Sequence, residues 1–188
     1  MKMTRKIIID TDPGIDDAMA VFLALGAPEL ELVGLTTVFG NVHVDLATVN
    51  ALRLLEIGGR SDIPVATGAA KPLSAPYKGP APAIHGADGQ GNLFLPAPAA
   101  SAVSQSAAEF LVDQVRRSPG EITLVAIGPL TNLALALQLE PKIASSLAIM
   151  DRWVKSLEFN AGISGGELPI GFDLPLIALG LPTRHRSL

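Results

Sequence analysis

The stretch "KIIIDTDPGIDDAMAVFLAL", from Lys6 to Leu25, constrains the fold of this chain more than any other. Ile7 to Ile9 form a continuous β-branched run stopped at once by polar residues, the pattern of a buried parallel strand. Asp12-Pro13 then reads as the N-cap and first position of a helix whose body is Ala18 to Leu25. A buried strand that runs straight into a helix is half of a βαβ unit, and the pattern recurs along the chain. A strand is predicted at Leu32 to Val38, ending in Gly40-Asn41. A helix follows with Leu46, Val49, Leu52 and Leu55 at helical spacing and Gly58-Gly59 as its stop. "IPVATGAAKPL" supplies a short third strand. Further on come a helix over Ser104 to Arg117, a strand over Ile122 to Ile127, a turn at Gly128-Pro129, a helix over Leu130 to Leu139 and a strand ending at Met150. This alternation predicts an α/β fold, a mostly parallel open sheet with helices on both faces. Ligands of such sheets bind at the carboxyl ends of the strands, where Asp10, Asp12, Asn41, Ile127 and Met150 are expected.

Residues 72–102 break the rhythm. They are rich in Pro, Gly and Ala and too long for a simple connection, so they are read as a functional loop or flap. Residues 1–150 are taken as one α/β domain and 151–188 as a divergent carboxyl-terminal segment.

Composition narrows the function. A net charge of −4 gives no broad basic surface, which argues against nucleic acid as partner. The absence of cysteine excludes disulfides, thiolate metal sites and thiol catalysis. The short apolar run after "MKMTRK" is no signal peptide, and no stretch approaches a membrane span. A cytoplasmic setting is expected.

Asp10, Asp12, Asp16 and Asp17 place four carboxylates within eight residues. Helix capping and the helix dipole explain one or two acids, at roughly 0.3–1 kcal/mol each, but not four that repel one another. A hard divalent cation explains all of them, because Ca²⁺ and Mg²⁺ take oxygen ligands. Gly14 lets the backbone approach closely there.

At this point the sequence resembles a known family. "DTDPGIDDA" matches the amino-terminal signature of the inosine-uridine nucleoside hydrolases, calcium-dependent N-ribohydrolases. "LVGLTTVFGNV" (Leu32 to Val42), "HGADG" (His85 to Gly89) and "ITLVAIGPLTNLALAL" (Ile122 to Leu137) follow in the same order. The resemblance implies cleavage of the N-glycosidic bond of a ribonucleoside, with Ca²⁺ as cofactor. It makes Asp12 a metal ligand and the general base on the attacking water, and Asp17 a second ligand, bidentate in the family. Asp16 would hold ribose hydroxyls and Asp10 would support the site. Asn41 would reach the ribose or the attacking water, the Ile127 backbone carbonyl would join the metal shell, and Met150 would lie by the substrate. His85 would belong to the flap that closes over the nucleoside. The chemistry suits these residue types: carboxylates stabilise an oxocarbenium-like transition state, and a cation can anchor both a diol and a water. Thr131 and Asn132 are read as structural, and nothing fixes a role for Tyr77 or Trp153.

Beyond Met150 the family pattern departs. Glu158 to Asn160 spell the family's Glu-Phe-Asn too early, and Glu167 and Asp173 suit the spacing without the context. His185 likewise does not match the family's late His-Asp pair. The expectation is weak Ca²⁺ binding and poor turnover. Two rivals follow. One is a shortened, catalytically impaired remnant that binds Ca²⁺ and ribose and self-associates into a homo-oligomer through an exposed sheet edge. The other is a haloacid-dehalogenase-type phosphatase, suggested by "IIIDTD" alone.

Overall fold

The computed structural model describes residues 4–151, and the predicted 151–188 segment lies almost wholly outside them, as do Trp153, Glu158, Asn160, Glu167, Asp173 and His185. The chain runs β1 (Arg5–Thr11), α1 (Ile15–Gly26), β2 (Leu30–Thr37), α2 (Val44–Ile57) and β3 (Val65–Thr67). It continues with a four-residue α3 (Pro82–His85), α4 (Ala107–Arg117), β4 (Ile122–Ala126), α5 (Thr131–Leu139), a 3-10 turn (Pro141–Ser145) and β5 (Ala148–Asp151). All four strand pairings are parallel, in the order β3-β2-β1-β4-β5.

Alternation along β1 splits the core in two. Ile7 and Ile9 pack with Val21, Leu52, Leu54 and Leu55 from α1 and α2. Ile8 faces the other way, into Phe110, Leu111 and Val115 of α4 and Leu133 of α5. Helices therefore cover both faces, as a parallel sheet requires. Val33 is an extra residue in β2, because Ile7 pairs with Leu32 and Ile8 with Gly34. Gly34 admits the Phe110 ring so closely that a Cβ would stand 2.6 Å from Cζ. Burying that ring closes the α4 side of the sheet.

The chain first fills the sheet outward from β1 through β2 to β3, then crosses back to place β4 and β5 on the other side. The carboxyl ends of β1 and β4 lie at this reversal, where doubly wound folds bind ligands. Gly59 stops α2 in the left-handed region (φ 68°), and the Arg60 N–H closes on the Leu55 carbonyl at 2.8 Å.

One predicted boundary needs correction. Asp12 is not the N-cap of α1: the cap is Gly14 and the helix starts at Ile15. Asp17, in the first turn, reaches back to accept the Gly14 N–H at 3.1 Å, so the capping acid sits inside the helix. Asp12 is thereby free for tertiary contacts. Asp10 and Thr11 belong to β1 itself rather than to its exit. Among the described residues no helix is long and apolar enough to cross a membrane.

Candidate active site

Strand β1 delivers Asp10, Thr11 and Asp12 in succession to the sheet's reversal point, and all three are buried. Asp10 is fully buried. Its Oδ1 accepts from Thr36 Oγ1 at 2.6 Å and from Asn132 Nδ2 at 2.7 Å, while its Oδ2 has no partner among the described residues. Burial pushes its carboxyl up to about 6, against the pull of Thr36 and Asn132. Asn132 also donates to the Thr37 carbonyl at 2.9 Å and accepts the Ala69 N–H at 2.9 Å, stitching α5 to β1, β2 and the loop after β3.

Asp12 leaves the strand and turns toward the β2–α2 loop. Its Oδ2 accepts the Asn41 N–H at 2.7 Å. A Cβ on Gly40 would stand 1.8 Å from that oxygen, and one on Gly128 would stand 2.9 Å from Oδ1, so two glycines cradle the carboxylate. At Gly40, with φ 159°, glycine is required by the close approach itself. Burial first, then the Asp17 charge, push Asp12 up to about 8. A buried group held that far above its ordinary range is a functional candidate.

Asp17 is buried and well supplied. Thr11 Oγ1 donates to its Oδ1 at 2.6 Å, and Gly14 N–H and Asn41 Nδ2 donate to Oδ2 at 3.1 and 3.0 Å. Counting lone pairs, Oδ1 keeps one free site and Oδ2 none. A bidentate Asp17 would need Gly14 or Asn41 to release Oδ2. Asn41 thus grips both acids, Asp12 through its backbone and Asp17 through its side chain.

The Asp10 carbonyl accepts the N–H groups of Ile127 and Gly128 at 2.9 and 3.2 Å. The second bond fixes the Ile127–Gly128 peptide plane, so the Ile127 carbonyl points away from Asp10. Asp16 stands at the rim with an exposed side chain. His85 is buried at the end of α3, and its Nδ1 accepts the Ile15 N–H at 3.3 Å. That bond assigns the His85 proton to Nε2, so the 3.9 Å approach of Asp16 Oδ1 to Nδ1 is no ion pair. Gly14 again permits the contact, since a Cβ there would meet His85 Nδ1 at 2.6 Å.

The geometry therefore brings together Asp10, Asp12, Asp16, Asp17, Asn41, His85 and the Ile127 peptide. Met150 lies in β5 beside Val125, and its side chain is outside the described residues. The donor set of Asp12, Asp17 and the Ile127 carbonyl is all hard oxygen, which fits Ca²⁺ or Mg²⁺ in kind. Among the described residues no group of three His, Cys, Asp or Glu side chains converges on a metal position. A complete shell would need oxygen from a ligand, water or other residues.

Several contributors escape sequence reading. Thr11, Thr36 and Asn132 hold the acids, and the signal available was buried threonines at strand ends, which must find partners. Residues 72–102 are tied down more firmly than a bare flap. Asp88 accepts the N–H groups of Gln90, Asn92 and Phe94, and Asn50 Nδ2 donates to the Asp88 carbonyl at 2.8 Å. Gln90 Nε2 reaches the Pro13 and Gly14 carbonyls, both at 3.3 Å.

Residues 7–150 match the family model of the inosine-uridine preferring nucleoside hydrolases. The chain is 56% identical over 144 residues to the probable uridine nucleosidase 2 of Arabidopsis thaliana, a match covering 76% of this chain and 45% of that protein. It is 40% identical over 196 residues to the pyrimidine-specific ribonucleoside hydrolase RihA of Shewanella sp. (strain MR-7), covering 98% and 61%. Among solved structures it superposes on the plant nucleoside hydrolase PpNRh1 with a TM-score of 0.74 and 48% identity, over 77% of this chain and 47% of that one. A purine-preferring ribonucleoside hydrolase from Gardnerella vaginalis gives 0.73 and 33%, over 78% and 48%. The chain spans about half the length of the first of these relatives, 45% of the Arabidopsis protein. On this evidence it belongs to the inosine-uridine preferring nucleoside hydrolase family.

Proposed function

We propose that this chain hydrolyses the N-glycosidic bond of ribonucleosides, with Asp12 as general base and Ca²⁺ as cofactor. The observation that carries the reading is the Asp12 environment: a buried carboxylate gripped by one backbone N–H, cradled by Gly40 and Gly128, and pushed up to about 8. Capping does not account for it, because Asp17 caps the helix. In the reaction Asp12 takes a proton from a water as the water oxygen bonds to the anomeric carbon. The C–N bond breaks with its electron pair moving to the base nitrogen, which takes a proton in turn. Carboxylates around the sugar stabilise the positive charge that builds on it.

Asp12, Asp17 and the Ile127 carbonyl would hold the calcium ion. When bound, calcium would offset the repulsion between the two acids and accept oxygens of the sugar diol. Asn41 keeps Asp12 and Asp17 in register, Asp10 braces the β1 end through Thr36 and Asn132, and Asp16 accepts from ribose hydroxyls at the rim. His85 closes the edge of the site from α3. The names of two relatives, uridine nucleosidase and pyrimidine-specific ribonucleoside hydrolase, favour a pyrimidine ribonucleoside as substrate. A cytoplasmic setting, a small-molecule partner and self-association through an exposed sheet edge belong to the same proposal.

The test is release of reducing sugar from uridine and inosine by the purified 188-residue chain, in Ca²⁺ and in chelator. Ribose release that needs the cation is expected. No release in either condition would sink the enzymatic reading.

A further inference from the structure

Tyr77 is the only tyrosine of the chain, and the acid site as described makes no use of it. Its ring stands edge-on to Phe39, with centroids 5.0 Å apart at 68°, and edge-on to His43, at 5.8 Å and 83°. Phe39 and His43 flank Gly40 and Asn41, the two residues that press against Asp12. The tyrosine ring is therefore clamped on the loop that grips the proposed base. Its phenol oxygen is shielded from solvent and donates to no acceptor among the described residues. The neighbouring Gly40 N–H is spent on the Val42 carbonyl at 3.1 Å. Burial and then the Asp12 carboxylate raise the phenol above its ordinary range, with a smaller opposing pull from the Gly40 backbone. Phenol and carboxylate thus feel each other without being bonded.

A phenol oxygen shielded from water normally finds a partner for its O–H, and leaving it without one is unfavourable. Packing alone would be served equally well by phenylalanine. The chemistry of the missing partner can be narrowed. It must accept a proton from the phenol, which excludes an ammonium. The ring packs on the loop whose Asn41 N–H holds Asp12, and that setting disfavours an anion. A neutral hydroxylic oxygen meets both demands, because it can donate to Asp12 and accept from Tyr77 at once.

We propose that Tyr77 is a ligand-binding donor of this site, giving its phenol proton to a water or sugar hydroxyl that Asp12 holds from the other side. The proposal rests on the reading of Asp12 given above. It makes Tyr77 a binding residue.

The experiment uses the full 188-residue chain with ring-labelled tyrosine, whose single residue gives a single NMR signal to follow. Ca²⁺ is added first and ribose second. A shift of the Tyr77 signal on Ca²⁺ alone assigns the partner as water, and a shift that waits for ribose assigns it as a sugar hydroxyl. Either supports the proposal; a signal that neither addition moves overturns it. Tyr77→Phe keeps the ring and removes the donor. It is expected to weaken the affinity for Ca²⁺ or ribose, whichever moved the signal, by about 3–10-fold, the size of one neutral hydrogen bond. Its metal-free melting temperature should not fall. Unchanged affinity would also overturn the proposal. Sugar release by the wild-type chain judges the enzymatic reading separately. Turnover with a silent tyrosine sinks the Tyr77 role alone, and a moving tyrosine without turnover sinks the enzymatic reading alone.

Discussion

The loop around Asp88 gives its carboxylate three backbone N–H groups, those of Gln90, Asn92 and Phe94, at 2.8, 2.8 and 2.7 Å. The β2–α2 loop gives Asp12 one, that of Asn41, at 2.7 Å. Both acids belong to buried residues in glycine-rich surroundings. Burial pushes each upward, but at Asp88 the three N–H groups together outweigh it and hold the carboxyl below its ordinary range. At Asp12 one N–H does not, and the Asp17 charge adds to the burial. The difference separates an acid that the fold satisfies from one that it does not. Asp88 is a negative charge that the loop has folded around, whereas Asp12 is one that the fold leaves in need of a proton or a cation.

Asp12→Asn tests the contrast most severely. It removes the proposed base and one metal ligand while keeping the shape and the Asn41 contact. Turnover is expected to fall on the order of 10²–10⁴-fold, the usual worth of a positioned base. Stabilisation by Ca²⁺ in a thermal melt should vanish, yet the metal-free chain should melt no lower than wild type, because folding no longer has to protonate a buried acid. Asp88→Ala should do the reverse. Three N–H groups lose their acceptor, so stability should drop by about 2–3 kcal/mol in denaturant unfolding, with Ca²⁺ stabilisation retained. If Asp12→Asn destabilises the metal-free chain more than Asp88→Ala, the contrast is wrong.

What the sequence made legible in this contrast, and what it hid, has a physical explanation. Strand and helix order was readable because apolar runs and helical spacing are local, and the parallel sheet followed from their alternation. The start of α1 was misread because Asp12-Pro13 has the local grammar of a cap. What overrides that grammar is tertiary: Asn41, 29 residues away, engages Asp12, and Asp17 takes over the capping. The Asn132 bond to Asp10 spans 122 positions, and no spacing rule reaches that far. The four acids announced a site; which of them the fold satisfies could be seen only with their donors in place.

Acidity gives a smaller test with opposite signs at the two regions. Asp12 and Asp10 have folded-state values above their ordinary value of 3.8, at about 8 and about 6. In chelator, their contribution to stability is therefore full below about pH 4 and is lost as pH rises through 6 and then 8. Asp88, held below 3.8, contributes stability above that value and loses it only on acidification. Melting temperature measured in chelator should thus decline between about pH 5 and pH 8, and Asp12→Asn should flatten the upper part of the decline. A metal-free melt that rises across this interval would contradict the burial-driven shifts.

The smallest effect concerns how the two regions are joined. Gln90 Nε2 reaches from the Asp88 loop to the Pro13 and Gly14 carbonyls at 3.3 Å, and Asn50 Nδ2 links the Pro13 and Asp88 carbonyls at 3.4 and 2.8 Å. Gln90→Ala removes the first link and also releases the Gly89 carbonyl, which the same Nε2 meets at 3.2 Å. Pro13 keeps Asn50, and the Gly14 carbonyl still accepts the Ala18 N–H at 3.1 Å. The Gln90 backbone N–H also stays on Asp88. Global stability should therefore fall by no more than about 1 kcal/mol, since these are long neutral bonds with replacements at hand. Amide exchange should report more: protection at Asn92 and Phe94, which depends on Asp88, should persist, while protection at Ile15, whose N–H reaches His85 across the same junction, should drop. Loss of protection at all three amides together would mean that the Asp88 loop does not hold its own shape and that the two carboxylate environments fold as one unit.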